Sequence, residues 1–87
     1  AIKPNYAKAY YNRGNAYSDL NDRSSAFRDY SQAISINPNY ALAYNNRAAI
    51  FALKKDFRNA TRDARKACSL GECDILESLA ENGDLRD

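Results

Sequence analysis

The chain has 87 residues, 45% hydrophobic and 28% charged, enough for one small domain and too few for two independent cores. It has no His, which excludes an imidazole base, His-ligated zinc and haem with a proximal His. The formal charge of +2 hides an asymmetry: residues 1–71 carry 12 Lys and Arg against 5 acids, and residues 72–87 carry one Arg against 6 acids.

No apolar run approaches the roughly 20 residues that a membrane helix needs, and Ala1 does not open a secretory leader, so neither a transmembrane segment nor a signal peptide is expected. Cys68 and Cys73 are too few for a disulfide-stapled miniprotein or a four-thiolate zinc site. They are expected as reduced, packed thiols of a cytoplasmic chain. No metal or cofactor is expected.

Taken from the start, AIKPNY at residues 1–6 reads like SINPNY at 35–40, so residues 1–5 look like the tail of a preceding repeat and the chain like the C-terminal fragment of a longer array. Pro4 and Pro38, Tyr6 and Tyr40, Tyr10 and Tyr44, Asn12 and Asn46, and Arg13 and Arg47 all pair at one offset of 34 residues. Asp22 and Asp56, Ala26 and Ala60, Asp29 and Asp63, and Ala33 and Ala67 continue that register.

Within each unit the apolar and small residues fall at helical spacing: Tyr10, Gly14 and Tyr17, then Ala26, Tyr30 and Ala33. The second unit repeats this with Tyr44, Ala48 and Phe51, then Ala60, Ala64 and Ala67. Helices are predicted near 6–20, 23–36, 40–54 and 57–70. Asn5 and Asn39 are predicted to cap the first helix of each unit and Asp22 and Asp56 the second.

After Gly71, a predicted helix stop, Ile75, Leu76, Leu79 and Ala80 share one side of a terminal helix whose other side carries Glu72, Glu77 and Glu81. The organisation is thus repeat 1 at 6–38, repeat 2 at 39–71, a capping helix at 72–83 that ends at Gly83, and a tail at 84–87. The fold class is all-α: two helical hairpins and a cap.

Gly14, Tyr17, Ala26, Tyr30, Ala33 and Pro38, with Ala48, Phe51, Ala60 and Ala67, resemble the tetratricopeptide repeat over nearly the whole chain. Ala64 departs from the aromatic usual there, and Glu72 from the closing Pro. The resemblance implies an α-α superhelix that binds a peptide or protein segment in a concave groove lined by the first helix of each repeat. By that resemblance the groove residues are Lys8, Tyr11, Asn12, Asn15, Asp19, Leu42, Asn45, Asn46, Ala49 and Leu53.

Asn12 and Asn46 stand at one point of consecutive repeats, so their amides form a potential ladder for a peptide backbone, or simply bond water and neighbouring helices. Asn15 and Asn46 also match part of the family's clamp for a C-terminal carboxylate. Tyr11 stands where the first Lys of that clamp belongs, and a full clamp is not encoded.

Arg13 and Arg47 each precede an Asp by 16 residues, and Arg13–Asp29 and Arg47–Asp63 pairs are expected to brace the hairpins. Arg58, Arg62, Arg65 and Lys66 share one side of the fourth helix without interleaved aromatics, which reads as a solvated outer face rather than a nucleic-acid surface. No Gly-rich phosphate loop, nucleophile elbow or paired-carboxylate motif occurs, so no catalytic residue is expected. The alternative to a docking module is a self-assembling element that stacks through its repeat faces, with the aromatic face of the first helix as the contact.

Overall fold

The computed structural model describes residues 4–86, and among them it contains five helices and no strand. They are α1 (Pro4–Asp19), α2 (Arg23–Ile36), α3 (Ala41–Leu53), α4 (Phe57–Ser69) and α5 (Asp74–Asn82). Of the expected preceding-repeat tail, residues 1–3 lie outside the described residues, while Pro4 opens α1 and Asn5 falls inside it. A proline suits that first position because its missing N–H has no helical partner there.

The remaining starts follow side-chain chemistry only in part. Asp22 accepts a hydrogen bond from the Ser25 N–H at 3.2 Å, and Asp56 one from the Asn59 N–H at 3.3 Å, as the N-cap expectation requires. Asn39 is not a cap: its own N–H donates to Asn37 Oδ1 at 3.1 Å, and Tyr40 precedes α3 without a side-chain bond. The reason is the turn between repeats, which the Tyr40 N–H closes on the Asn37 carbonyl at 3.1 Å with Pro38 at its second position.

Four helices close the same way, with a left-handed residue and a bond that wraps the last turn. Asn21 and Lys55, both at φ 61°, serve α1 and α3, while Gly71 at φ 106° and Gly83 at φ 75° serve α4 and α5. The N–H of the next residue then reaches back to Tyr17, Phe51, Ala67 and Leu79 carbonyls at 2.8–2.9 Å.

Each hairpin closes on alanine. Ala26, Ala33, Ala43, Ala48, Ala60, Ala64 and Ala67 have no exposed surface, so the helices approach without side-chain bulk between them. Larger residues join the hairpins: Tyr30 and Ile50 are buried together with Ala26, and Phe27 meets Phe51 edge-on at 5.2 Å between ring centroids. The result is an α-α superhelix measuring 41 × 27 × 16 Å, with α5 stacked on α3 and α4.

The terminal helix is shorter than the expected 72–83. Leu79 is buried against Ala48, Ala60 and Ala64, with Ile75 and Leu76 packed beside it, but Ala80 is exposed. Residues 84–86 are not a loose tail: Leu85 joins the same apolar cluster, and the Arg86 N–H donates to Thr61 Oγ1 of α4 at 2.9 Å.

The cysteines correct another expectation. Cys68 and Cys73 form a disulfide rather than two reduced thiols, because α4 ends between them and the left-handed Gly71 turns the chain back, leaving their Cα atoms 4.1 Å apart. The expectation of a cytoplasmic chain, drawn from reduced thiols, loses that support. No helix among the described residues is long and apolar enough to cross a membrane.

Candidate functional site

The side shared by α1 and α3 carries the residues singled out from the sequence, and their environments differ sharply. Lys8, Asn12 and Asp19 are exposed on α1, as are Leu42 and Leu53 at the two ends of α3. Tyr11 is half-buried, with its ring 5.1 Å from that of Tyr40 and 5.9 Å from that of Tyr30.

Asn45 is turned inward and only 8% exposed. Its Oδ1 accepts the Ile75 N–H at 3.2 Å, in the first turn of α5. Cys73 precedes α5 with no side-chain cap of its own, so Asn45 satisfies from 30 residues away a donor that a local cap would otherwise satisfy.

Asn46 links the two repeats. Its Nδ2 donates to Asn15 Oδ1 at 3.0 Å and to Tyr11 Oη at 3.3 Å, while Asn15 Oδ1 also accepts the Tyr30 hydroxyl at 2.5 Å. Burial pushes the Tyr30 phenol above the ordinary tyrosine range, so it remains a donor to Asn15. Asn12 is not among these bonds, and the two asparagines at one repeat position have different surroundings.

Two clefts open beside this network. The first, about 430 Å³, brings Asn15, Asn46 and Ala49 together with Ser18, Asp19 and Tyr30. The second, about 340 Å³, lies one repeat further on and is lined by Ala49, Ala52, Leu53, Ile75 and Leu79 among others. Ala49 is common to both. The first is rich in amides, hydroxyls and a carboxylate; the second is more apolar, with Leu53 60% exposed at its edge, but also carries Lys55, Ser78, Asn82 and Asp84.

Lys8, Tyr11, Asn12, Leu42 and Asn45 line neither cleft. Of the second cleft, Ala49 and Leu53 were among the expected groove residues, whereas Ile75, Ser78, Leu79 and Asn82 were not, because α5 follows the repeats and shares none of their spacing. The sequence signal for that wall was the apolar side of α5.

The arginine braces stand as expected. Arg13 grips Asp29 through Nε at 2.7 Å and Nη2 at 2.8 Å, and Arg47 grips Asp63 at 2.6 and 3.0 Å. The two carboxylates are 1% and 2% exposed, so they need these partners to remain buried as anions. Hydrogen bonding from Arg13, aided by its charge, holds the Asp29 carboxyl below the usual range against the opposing effect of burial. Arg47 also donates to Ser31 Oγ of α2 at 3.1 Å, tying the second hairpin to the first.

Comparison with curated proteins gives no match. Residues 7–40, the span from α1 to the start of α3, match the family model of the tetratricopeptide repeat. Residues 7–40 are thus similar to a tetratricopeptide repeat, and a second helical hairpin in the same 34-residue register is stacked on them.

Proposed function

We propose that the chain is a docking module that holds a segment of a partner protein along the two clefts flanking α3. Tetratricopeptide repeats are in general protein–protein interaction modules. The observation that supports this reading is the change of character at Ala49: mainly hydrogen-bonding groups and Asp19 on one side, and on the other an apolar floor of Ala52, Leu53, Phe57, Ile75 and Leu79 with Lys55, Ser78, Asn82 and Asp84 among its lining.

The segment this suits presents a hydrogen-bond donor, or a Lys or Arg, to Asp19, an acceptor to Asn15 Nδ2, since Asn15 Oδ1 already receives Tyr30 and Asn46, and an apolar side chain to Leu53 and Ile75. Asn12, exposed beside the first cleft's helix, is free to reach the segment's backbone. Asn46 contributes through its Oδ1, since its Nδ2 already bonds Tyr11 and Asn15.

A peptide array that varies one position at a time tests this. Binding is expected to select an apolar residue and a donor at a fixed spacing, and to weaken about tenfold or more in Leu53→Asp, which replaces the exposed apolar edge of the second cleft by a charge. Selection unchanged by both Leu53→Asp and Asn15→Ala would refute the reading.

A second reading, self-association through the outer side of α1, has one observation behind it. Tyr6 is 51% exposed next to Ala9, Tyr10 and Arg13, around a cleft of about 300 Å³. Sedimentation equilibrium of the chain and of Tyr6→Glu decides it: concentration-dependent association that the variant loses supports the reading, and a monomer at all concentrations refutes it.

A further inference from the structure

In the first cleft the two amides are partly spent on each other. Asn46 Nδ2 uses both of its N–H groups, on Asn15 Oδ1 at 3.0 Å and on Tyr11 Oη at 3.3 Å, and Asn15 Oδ1 also takes the Tyr30 hydroxyl. What the pair turns toward a ligand is therefore Asn15 Nδ2 and Asn46 Oδ1, which have no partner among the described residues. Such a pair leaves one donor and one acceptor outward whichever amide donates within it.

Asp19 adds a second acceptor. It stands one turn after Asn15 on α1, is exposed, and is in no ion pair among the described residues. Burial raises the Tyr30 phenol and the charge of Asp19 adds to it, which places Asp19 close to this network. Among the described residues no Lys or Arg lines the cleft. Tyr11, at the position where a carboxylate clamp has a Lys, brings no charge, and its hydroxyl takes an Asn46 N–H that a carboxylate would need.

One donor group and two acceptor groups are the complement of a primary carboxamide, with its one accepting oxygen and two N–H groups. A carboxylate only accepts, and would face Asn46 Oδ1 and the charge of Asp19. An ammonium only donates, and would leave Asn15 Nδ2 unmatched. A backbone amide has a single N–H to share between two acceptors.

We propose that the first cleft binds the side-chain carboxamide of a Gln or Asn in the partner segment: Asn15 Nδ2 donates to its oxygen, and Asn46 Oδ1 and Asp19 accept from its nitrogen. Ala49 and Ile50 also line the cleft and receive the methylene stem. This specificity rests on the docking reading above, to which it adds the chemistry of the residue held in the first cleft.

The test is an NMR titration of the whole chain that follows the side-chain Nδ2 resonances of Asn15 and Asn46. The probes are the N-acetyl methylamides of Gln, Glu, Lys and Ala. The Gln probe is expected to shift both resonances with one saturating midpoint, about tenfold or more below those of the other three, and to leave that of Asn59, which bonds Asp56, unmoved. No saturable shift with the Gln probe would overturn the proposal. A midpoint for the Glu, Lys or Ala probe as low as that for Gln would do the same.

Asn15→Asp keeps an acceptor for Tyr30 and Asn46 but replaces the donor in the cleft. It is expected to raise the Gln midpoint about tenfold or more and to favour the Lys probe. Asp19→Asn, at an exposed position, is expected to narrow the preference for Gln over Glu several-fold. A Gln midpoint unchanged in Asn15→Asp, with a preference unchanged in Asp19→Asn, would overturn the assignment. The peptide array separates the two failures. Selection of an apolar residue without Gln or Asn elsewhere in the segment leaves the docking reading standing and overturns this one; no selection at all refutes the docking reading, and the small probes still decide the cleft.

Discussion

A methyl group added at Gly14 would lie 2.8 Å from Cε1 of Tyr30, inside contact distance of a buried ring. One repeat later the same two positions are Ala48 and Ala64, where the methyl is present and the ring is gone. The pair has therefore exchanged volume between its members, and the space left by the missing ring is taken by Leu79. Gly14→Ala is expected to destabilise the chain by about 1–3 kcal/mol, because Tyr30 has no room to retreat while its hydroxyl bonds Asn15. A urea melt checks this, and a midpoint equal to the parent's would show that the ring yields freely.

At the scale of elements, α5 is held by groups that come from outside it. Asn45 caps its first turn, the disulfide ties that turn to α4, and Leu79 anchors its middle. Its own contribution is Asp74 and Glu77 in the first turn, where the helix dipole favours them. Asn45→Ala should cost about 1–2 kcal/mol and Asn45→Asp much less, since the carboxylate keeps the acceptor. Amide exchange at Ile75 reports this bond directly, and protection unchanged in Asn45→Ala would remove the cap from the account. The same bond marks what was legible beforehand. The four helices of the hairpins, their Asp caps and the Arg–Asp braces could be read because each occurs twice, 34 residues apart. Asn45, Thr61 and the cysteines act once each: the repeat counterparts of Asn45 and Thr61 are Tyr11 and Phe27, which have other roles, and their partners Ile75 and Arg86 lie in the non-repeating end. The groove residues inferred by resemblance lie on α1 and α3, but resemblance carries no knowledge of which side chains a terminal helix will engage.

For the molecule as a whole, titration behaviour follows from what is missing as much as from what is present. Without His, and with both cysteines joined, no side chain of ordinary pKa titrates between about pH 5 and 8, so stability should be level across that range. Below it, Asp29 matters: its carboxyl is held lower in the folded chain than in the unfolded one, where it titrates near 3.9, so the stability it confers is complete above that pH and is lost as pH falls through the folded value. Above it, Tyr30 and Tyr40 have phenols raised by burial, and their contribution is complete below about pH 10 and fades as the pH climbs past that point. Urea midpoints from pH 2 to 11 should trace a plateau with two falling limbs. Arg13→Gln should move the acid limb to higher pH, and Tyr30→Phe should weaken the alkaline one; a slope between pH 6 and 8 would contradict this assignment. The volume exchange between the Gly14–Tyr30 and Ala48–Ala64 pairs also fixes the order of the hairpins. They share their braces and caps, yet they are not interchangeable cassettes. A rearranged gene encoding residues 41–71 ahead of 7–40 would present Ala64 to the neighbouring hairpin where Tyr30 now meets Ile50, opening a void, and would drive a tyrosine ring into the place of Leu79. Direction along such a chain resides in the few positions at which its units disagree.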